Sequence, residues 1–174
     1  MNRIRHGIYL LIERLLTWCV HPGLRARLLS LFGARIGRNV RVYDARFFNL
    51  ENGFTNLQIE DDCYIGPGCM LDLKQRISLG CGSVISTRTI ILTHLDVGSK
   101  HGAPLLKLYP VELLPVHIGP GCFVGAGSII LAGAKLGRNS MVAAGSVVKG
   151  EHPPGRLLAG SPAVSKRELD IPKE

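Results

Sequence analysis

Residues 118–148 read IGPGCFVGAGSIILAGAKLGRNSMVAAGSVV. Ile118, Val124, Ile130, Leu136, Val142 and Val148 recur at steps of six, and the small residues Cys122, Ser128, Ala134, Ser140 and Ser146 each follow an aliphatic by four. A step of six fits neither an amphipathic helix nor a long alternating strand. It fits short strands joined by regular corners, with one aliphatic per side pointing inward and each coil stacked on the last. A single coil buries nothing by itself, so its neighbours above and below supply the core. The architecture is read as all-β, a parallel β-helix.

The same period extends backwards along the chain. Ile59, Ile65 and Leu71 form a second series, which slips two residues through Lys74-Gln75-Arg76 and resumes as Leu79, Ile85 and Ile91. Ile36, Val42 and Phe48 form a looser first series. Three hexads to a coil give about five coils, at 36–53, 59–76, 79–93, 118–135 and 136–153. The reading therefore places a helical segment at 1–33, the β-helix at 34–153 with a loop at 93–116 extruded from it, and a tail at 154–174.

Ahead of the repeats, Ile4, Ile8, Leu11, Ile12, Leu15, Leu16 and Cys19 recur at helical spacing, while Arg3, Arg5, Glu13 and Arg14 fall elsewhere on the wheel. Such a helix is too short and too charged to span a bilayer, and Glu13 and Arg14 interrupt what would be the core of a signal peptide. The expected location is cytoplasmic. Two uses of the helix stay open at this stage, packing on its own domain or peripheral contact of residues 1–20 with anionic lipid at the inner face of the membrane. A second helix is expected from Pro22 or Gly23 to Leu31, stopped by Gly33.

The chain has 174 residues, 46% hydrophobic and 20% charged, which suits one globular domain able to hold itself together without disulfides or metal. Its net charge of +8 is lopsided, since residues 1–50 hold nine arginines against Glu13 and Asp44. Nucleic acid is not the expected partner, because this basic region lacks interleaved aromatics and any reader motif. The five cysteines form no CxxC pair and read as interior filler in a reducing compartment. Neither a Walker lysine loop nor a Rossmann glycine fingerprint is present.

The hexads, together with Ile65-Gly66-Pro67-Gly68, Ile118-Gly119-Pro120-Gly121, Ala144-Gly145-Ser146-Val147-Val148 and the closing Ala159-Gly160-Ser161-Pro162-Ala163, resemble the hexapeptide-repeat acyltransferases, in particular the maltose, galactoside and surface-polysaccharide O-acetyltransferases. The resemblance covers roughly residues 33–167. It implies a left-handed prism, a homotrimer, and acetyl-coenzyme A bound as co-substrate between neighbouring subunits, with no metal.

Chemistry is expected where the repeat breaks, between Ile91 and Ile118, because a long insertion in so regular a scaffold is usually functional. His94 stands at the root of that loop, as the base histidine of the family does, and an imidazole can take the proton of an attacking hydroxyl. Asp96 is expected to hold its far ring nitrogen, in the manner of a triad. Gly133 lies three after Ile130 as His94 lies three after Ile91, so the two should stack, and the Gly133 amide is a candidate oxyanion donor. His101 and His117 flank the loop. By match to the family, Ala126 and Ala144 would lie along the pantetheine arm, and Lys166 or Arg167 would meet the nucleotide phosphates, with Lys149 a further candidate. The chain departs from the family at Val148-Lys149-Gly150-Glu151, where the lysine comes one residue early, and at Phe123, where a tryptophan is usual.

The function so implied is O-acetylation of a sugar or surface-glycan precursor. An amine or a small non-carbohydrate acceptor is the nearest alternative. A gamma-type carbonic anhydrase uses the same prism but needs a close histidine pair, and the residue five after His117 is Cys122. A non-catalytic trimeric scaffold leaves His94 and its loop without a purpose.

Overall fold

The computed structural model describes residues 3–170; residues 1, 2 and 171–174, at the outer ends of the expected helical segment and tail, lie outside the described part. Three parallel sheets form the sides of a left-handed β-helix. The first side stacks Arg35–Ile36, Leu57–Ile59, Ile77–Leu79, Val116–Ile118, Lys135–Leu136 and Glu151–His152. The second stacks Arg41–Val42, Tyr64–Ile65, Val84–Ile85, Phe123–Val124, Met141–Val142 and Arg156–Gly160. The third stacks Arg46–Phe48, Met70–Asp72, Ile90–Ile91, Ile129–Ile130 and Val147–Val148. Parallel crossovers are ordinarily right-handed because long twisted strands feed a packed helix. Strands of two or three residues turned by corners carry too little twist to impose that hand.

The hexad arithmetic matches the register. Ile118, Val124 and Ile130 sit against Leu136, Val142 and Val148, and Ile59, Ile65 and Leu71 against Leu79, Ile85 and Ile91, across the two-residue slip. Two details differ from expectation. The first and second sides have six storeys rather than five, because the corner at Lys149-Gly150 is short enough to return the chain once more to the first side at Glu151–His152 and on to the second at Arg156–Gly160. In the first storey Phe47, not Phe48, points inward and pairs with Leu71. The corner before it is tightened by a 2.6 Å hydrogen bond from the Ala45 amide to the Tyr43 carbonyl, which removes one residue from the period.

The small residue four positions after each aliphatic does more than leave room for the bend. Ser83 donates to the Gly119 carbonyl at 2.9 Å, Ser128 to Ala143 at 3.1 Å and Ser140 to Pro153 at 3.3 Å, each one storey on. Cys63, Cys69 and Cys122 make the equivalent contact through Sγ, each at 3.1 Å, to Gly80, Ser86 and Gly137. A small buried donor satisfies a corner carbonyl that the strands leave unpaired. All five cysteines are free thiols.

Helices close the end of the prism at the first storey. Helix α1 spans Arg3–Leu16 and α2 spans Pro22–Leu31; His21 caps α2 through Nδ1, and Gly33 at φ 107° turns the chain into the first strand. Glu13, expected on the polar side of α1, is buried: its Oε1 accepts from Arg46 Nε at 2.7 Å and from the Phe47 amide at 3.3 Å. It thus satisfies an edge-strand donor that would otherwise face the helix unpaired. Arg25 is likewise buried and donates to the Tyr43 and Leu16 carbonyls, both at 2.6 Å. Tyr9, Phe54 and Phe47 make two edge-to-face contacts that carry α1 onto the core. At the other end, Ala163–Glu168 folds back antiparallel on Arg156–Gly160, so the chain continues as paired strands beyond residue 153.

Candidate functional site

The third side hands over to the first at a corner that repeats in every storey. After Ile91 this corner opens into the extruded loop, a short antiparallel ladder of His94–Leu95 with Glu112–Leu113 enclosing two 3-10 turns, Ser99–His101 and Pro104–Lys107. Thr93, at the root, is wholly buried. Its amide donates to Asp72 Oδ2 at 2.9 Å and its hydroxyl accepts from the Gln75 amide at 2.9 Å, which ties the loop to the storey before it.

His94 is therefore fixed from below. Its Nδ1 lies 2.5 Å from Asp72 Oδ2, and a quarter of its side chain is exposed while Asp72 is entirely buried. Burial pushes the Asp72 carboxyl up, but hydrogen bonds from Asn49, His94 and the Thr93 and Lys74 amides outweigh it and hold the group below the usual carboxylate range. The Asn49 amide reaches Asp72 Oδ1 at 2.7 Å and the Lys74 N–H reaches it at 3.0 Å. An ionised carboxylate on Nδ1 favours the tautomer with its proton there. Nε2 then keeps a lone pair that can accept a proton.

Asp96 does not occupy the orienting position. Its Oδ1 accepts from the Gly98 and Ser99 amides at 2.9 and 2.6 Å, and its Oδ2 from the Ser99 hydroxyl at 2.6 Å. These bonds hold its pKa well below the ordinary value and make it the brace of a turn. The carboxylate comes instead from the preceding storey, 22 positions back in sequence. Its sequence signal was an acid directly after an inward aliphatic, Leu71, at the point where the hexads slip. Once Leu71 is registered on Ile91, Asp72 falls level with Leu92 and beside the turn into His94.

The register of Ile91 on Ile130, from which His94 and Gly133 were paired, is present. Gly133 adopts φ 79°, and a Cβ there would come within 3.1 Å of Leu114 on the returning arm of the loop. Ala126 and Ala144 share the other corner, between the second and third sides, where the Gly145 amide donates to the Ala126 carbonyl at 2.9 Å. Close stacking is built in there, since a Cβ on Gly125 would sit 2.5 Å from the Ala144 nitrogen. Lys149 is exposed and follows Val148 as Leu92 follows Ile91, so it belongs to the His94 corner two storeys on. Lys166 and Arg167 are exposed on the closing strand of the second side. Within one chain, His94 and the Ala126–Ala144 pair thus lie on different corners of the prism.

His117 points outward on the first side with Nδ1 2.9 Å from Ser78 Oγ, and His101 is exposed in a 3-10 turn. Among the described residues there is no group of three or more His, Cys, Asp or Glu side chains that could hold a metal ion.

Residues 115–150 match the model for the bacterial transferase hexapeptide, six repeats. The chain is 30% identical over 145 residues to the provisionally named colanic acid biosynthesis acetyltransferase WcaF of Escherichia coli (strain K12), covering 83% of this chain and 74% of that protein. A hexapeptide-repeat acetyltransferase from Vibrio cholerae, solved with acetyl-coenzyme A, superposes with a TM-score of 0.77 at 19% identity over 98% of this chain and 92% of its own. A galactoside acetyltransferase solved with coenzyme A gives 0.75 at 22% identity over 94% and 82%.

Proposed function

We propose that this chain, which belongs to the hexapeptide-repeat acyltransferases, moves an acetyl group from acetyl-coenzyme A to a hydroxyl of a sugar or surface-glycan precursor, with His94 as general base. The observation that carries this reading is the contact between His94 Nδ1 and the buried Asp72 carboxylate at the root of the extruded loop. Nε2 takes the acceptor O–H proton as the oxygen attacks the thioester carbonyl. The tetrahedral oxyanion collapses with loss of the coenzyme A sulfur, and the imidazolium returns its proton to that sulfur, leaving an ester and a free thiol. Gly133 is the candidate amide donor to the oxyanion. A glycan acceptor is supported by the relative named for colanic acid biosynthesis.

The working unit in this reading is a homotrimer, because the pantetheine corner at Ala126 and Ala144 lies apart from His94 in its own chain. A neighbouring copy can bring that corner to the imidazole, with Lys149, Lys166 and Arg167 as candidate phosphate contacts. The test is release of free thiol from acetyl-coenzyme A over a panel of hydroxyl and amine acceptors, with His94→Ala beside the wild type. A loss of about three orders of magnitude in turnover is expected on removing a general base. Equal rates would remove His94 from the chemistry, and turnover confined to amines would replace the O-acetyl assignment.

A further inference from the structure

Helix α1 covers the end of the prism with only one of its faces. Tyr9, Glu13 and Leu16 turn inward, while Ile8, Leu11 and Leu15 on the opposite face, and Trp18 and Val20 just after it, are exposed, Leu15 to 61%, Trp18 to 83% and Val20 to 91%. The apolar stripe legible in the sequence is thus mostly not the packing face. No helix among the described residues is long and apolar enough to cross a membrane. Arg5 and Arg14 are exposed on either side of the stripe, and the one acid of α1, Glu13, is withdrawn into the fold against Arg46.

We infer that the outward face of α1 docks on an anionic lipid bilayer, with Leu11, Leu15 and Trp18 at the acyl boundary and Arg5 and Arg14 at the headgroups. An apolar strip bordered by cations, on a helix with no exposed acid of its own, matches the chemistry of such a surface. It matches the same face of a second copy of this chain poorly, because the one acid of α1, Glu13, is buried and the helix offers no exposed carboxylate to another copy's arginines. The docking rests on this helix alone and not on the acyl-transfer reading, so an inactive His94→Ala protein should bind lipid as the wild type does.

Trp18 is the sole tryptophan of the chain and reports directly. Its emission in buffer should lie at long wavelength and be quenched by acrylamide. With phosphatidylcholine–phosphatidylglycerol vesicles it should move to shorter wavelength and be quenched by brominated acyl chains, whereas pure phosphatidylcholine vesicles should leave it unchanged. Leu11→Glu with Leu15→Glu should abolish the response at unchanged circular dichroism. Arg14→Gln, which leaves the apolar strip intact, should weaken vesicle affinity roughly fivefold at low salt. The inference is overturned if anionic vesicles leave the emission unmoved, if neutral and anionic vesicles act alike, or if Trp18 is already shielded in buffer, the sign that another copy covers the stripe.

Discussion

Asp72 Oδ2 and His94 Nδ1 lie 2.5 Å apart although 22 positions separate the two residues, because adjacent storeys of the prism bring one to the other. The carboxylate is wholly buried and the imidazole partly exposed, so the pair is rigid on the protein side and open on the other. Thr93 ties the two storeys together at the same point, with its amide on Asp72 and its hydroxyl on the Gln75 amide.

Asp72→Asn should lower kcat by roughly two orders of magnitude, since an amide neither fixes the tautomer reliably nor stabilises the imidazolium. The KM for acetyl-coenzyme A should hardly move, as Asp72 is wholly buried and has no surface to offer the coenzyme. Asp96→Asn should change kcat little, because Asp96 braces Gly98 and Ser99 rather than the ring. Steady-state kinetics of the two variants separate the roles; a larger kcat loss from Asp96→Asn would restore it as the orienting acid.

Complementation between variants tests whether one site needs two chains. His94→Ala and Ala144→Arg each should be nearly inactive alone, the first for want of the proposed base and the second because a long cation fills the proposed pantetheine corner. Trimers assembled from a mixture of both should regain activity, since some sites then pair a wild-type imidazole with a wild-type corner. A mixture no more active than its components would mean that each chain works alone.

The response to acid follows from the sign of the Asp72 shift. Its folded pKa lies below the unfolded value of about 3.9, so the ionised carboxylate stabilises the fold. That contribution is complete above about pH 4 and fades as the pH falls through the lowered folded value. Thermal melts of wild type and Asp72→Asn between neutral and strongly acid pH should converge as the pH drops. Curves that stay parallel would deny the carboxylate this role.

The thiols should divide sharply under a maleimide or disulfide reagent. Cys81 is exposed and should react within the native protein, with Cys19 slower. Cys63, Cys69 and Cys122 are buried, and burial raises all three pKa values, that of Cys69 to about 11. They should label only after unfolding, because the thiolate is the reactive form. Rapid modification of Cys69 in folded protein would contradict its place inside the stack.

The prism was legible in the sequence because its period is a packing requirement: Ile118 to Val148 must each fill the same interior slot, and a wrong residue there leaves a hole. His94 was legible because the insertion beside it breaks that period. Asp72 was not, since its significance depends on storey height, which two slipped residues at Lys74-Gln75-Arg76 hide until Leu71 is registered on Ile91. Phe47 replaced Phe48 for a similar reason, a corner one residue short. The outward stripe of α1 was read as a packing or lipid face without distinction, because periodicity marks apolar positions and says nothing of which neighbour meets them. Buried Glu13 settles which face turns inward, through partners, Arg46 and Phe47, that no local pattern announces.

The strand Ala163–Glu168 runs against the direction of the five strands of the prism that precede Arg156–Gly160 on its side, and it carries Lys166, Arg167 and Glu168 along the last rim. A rim of parallel strands left bare would invite the next molecule to continue the pattern and seed a filament. A reversed, charged final strand breaks that template, and α1 and α2 plug the opposite tip. On the second side, end-to-end continuation is thereby blocked at both tips, by a reversed strand at one and by α2 at the other.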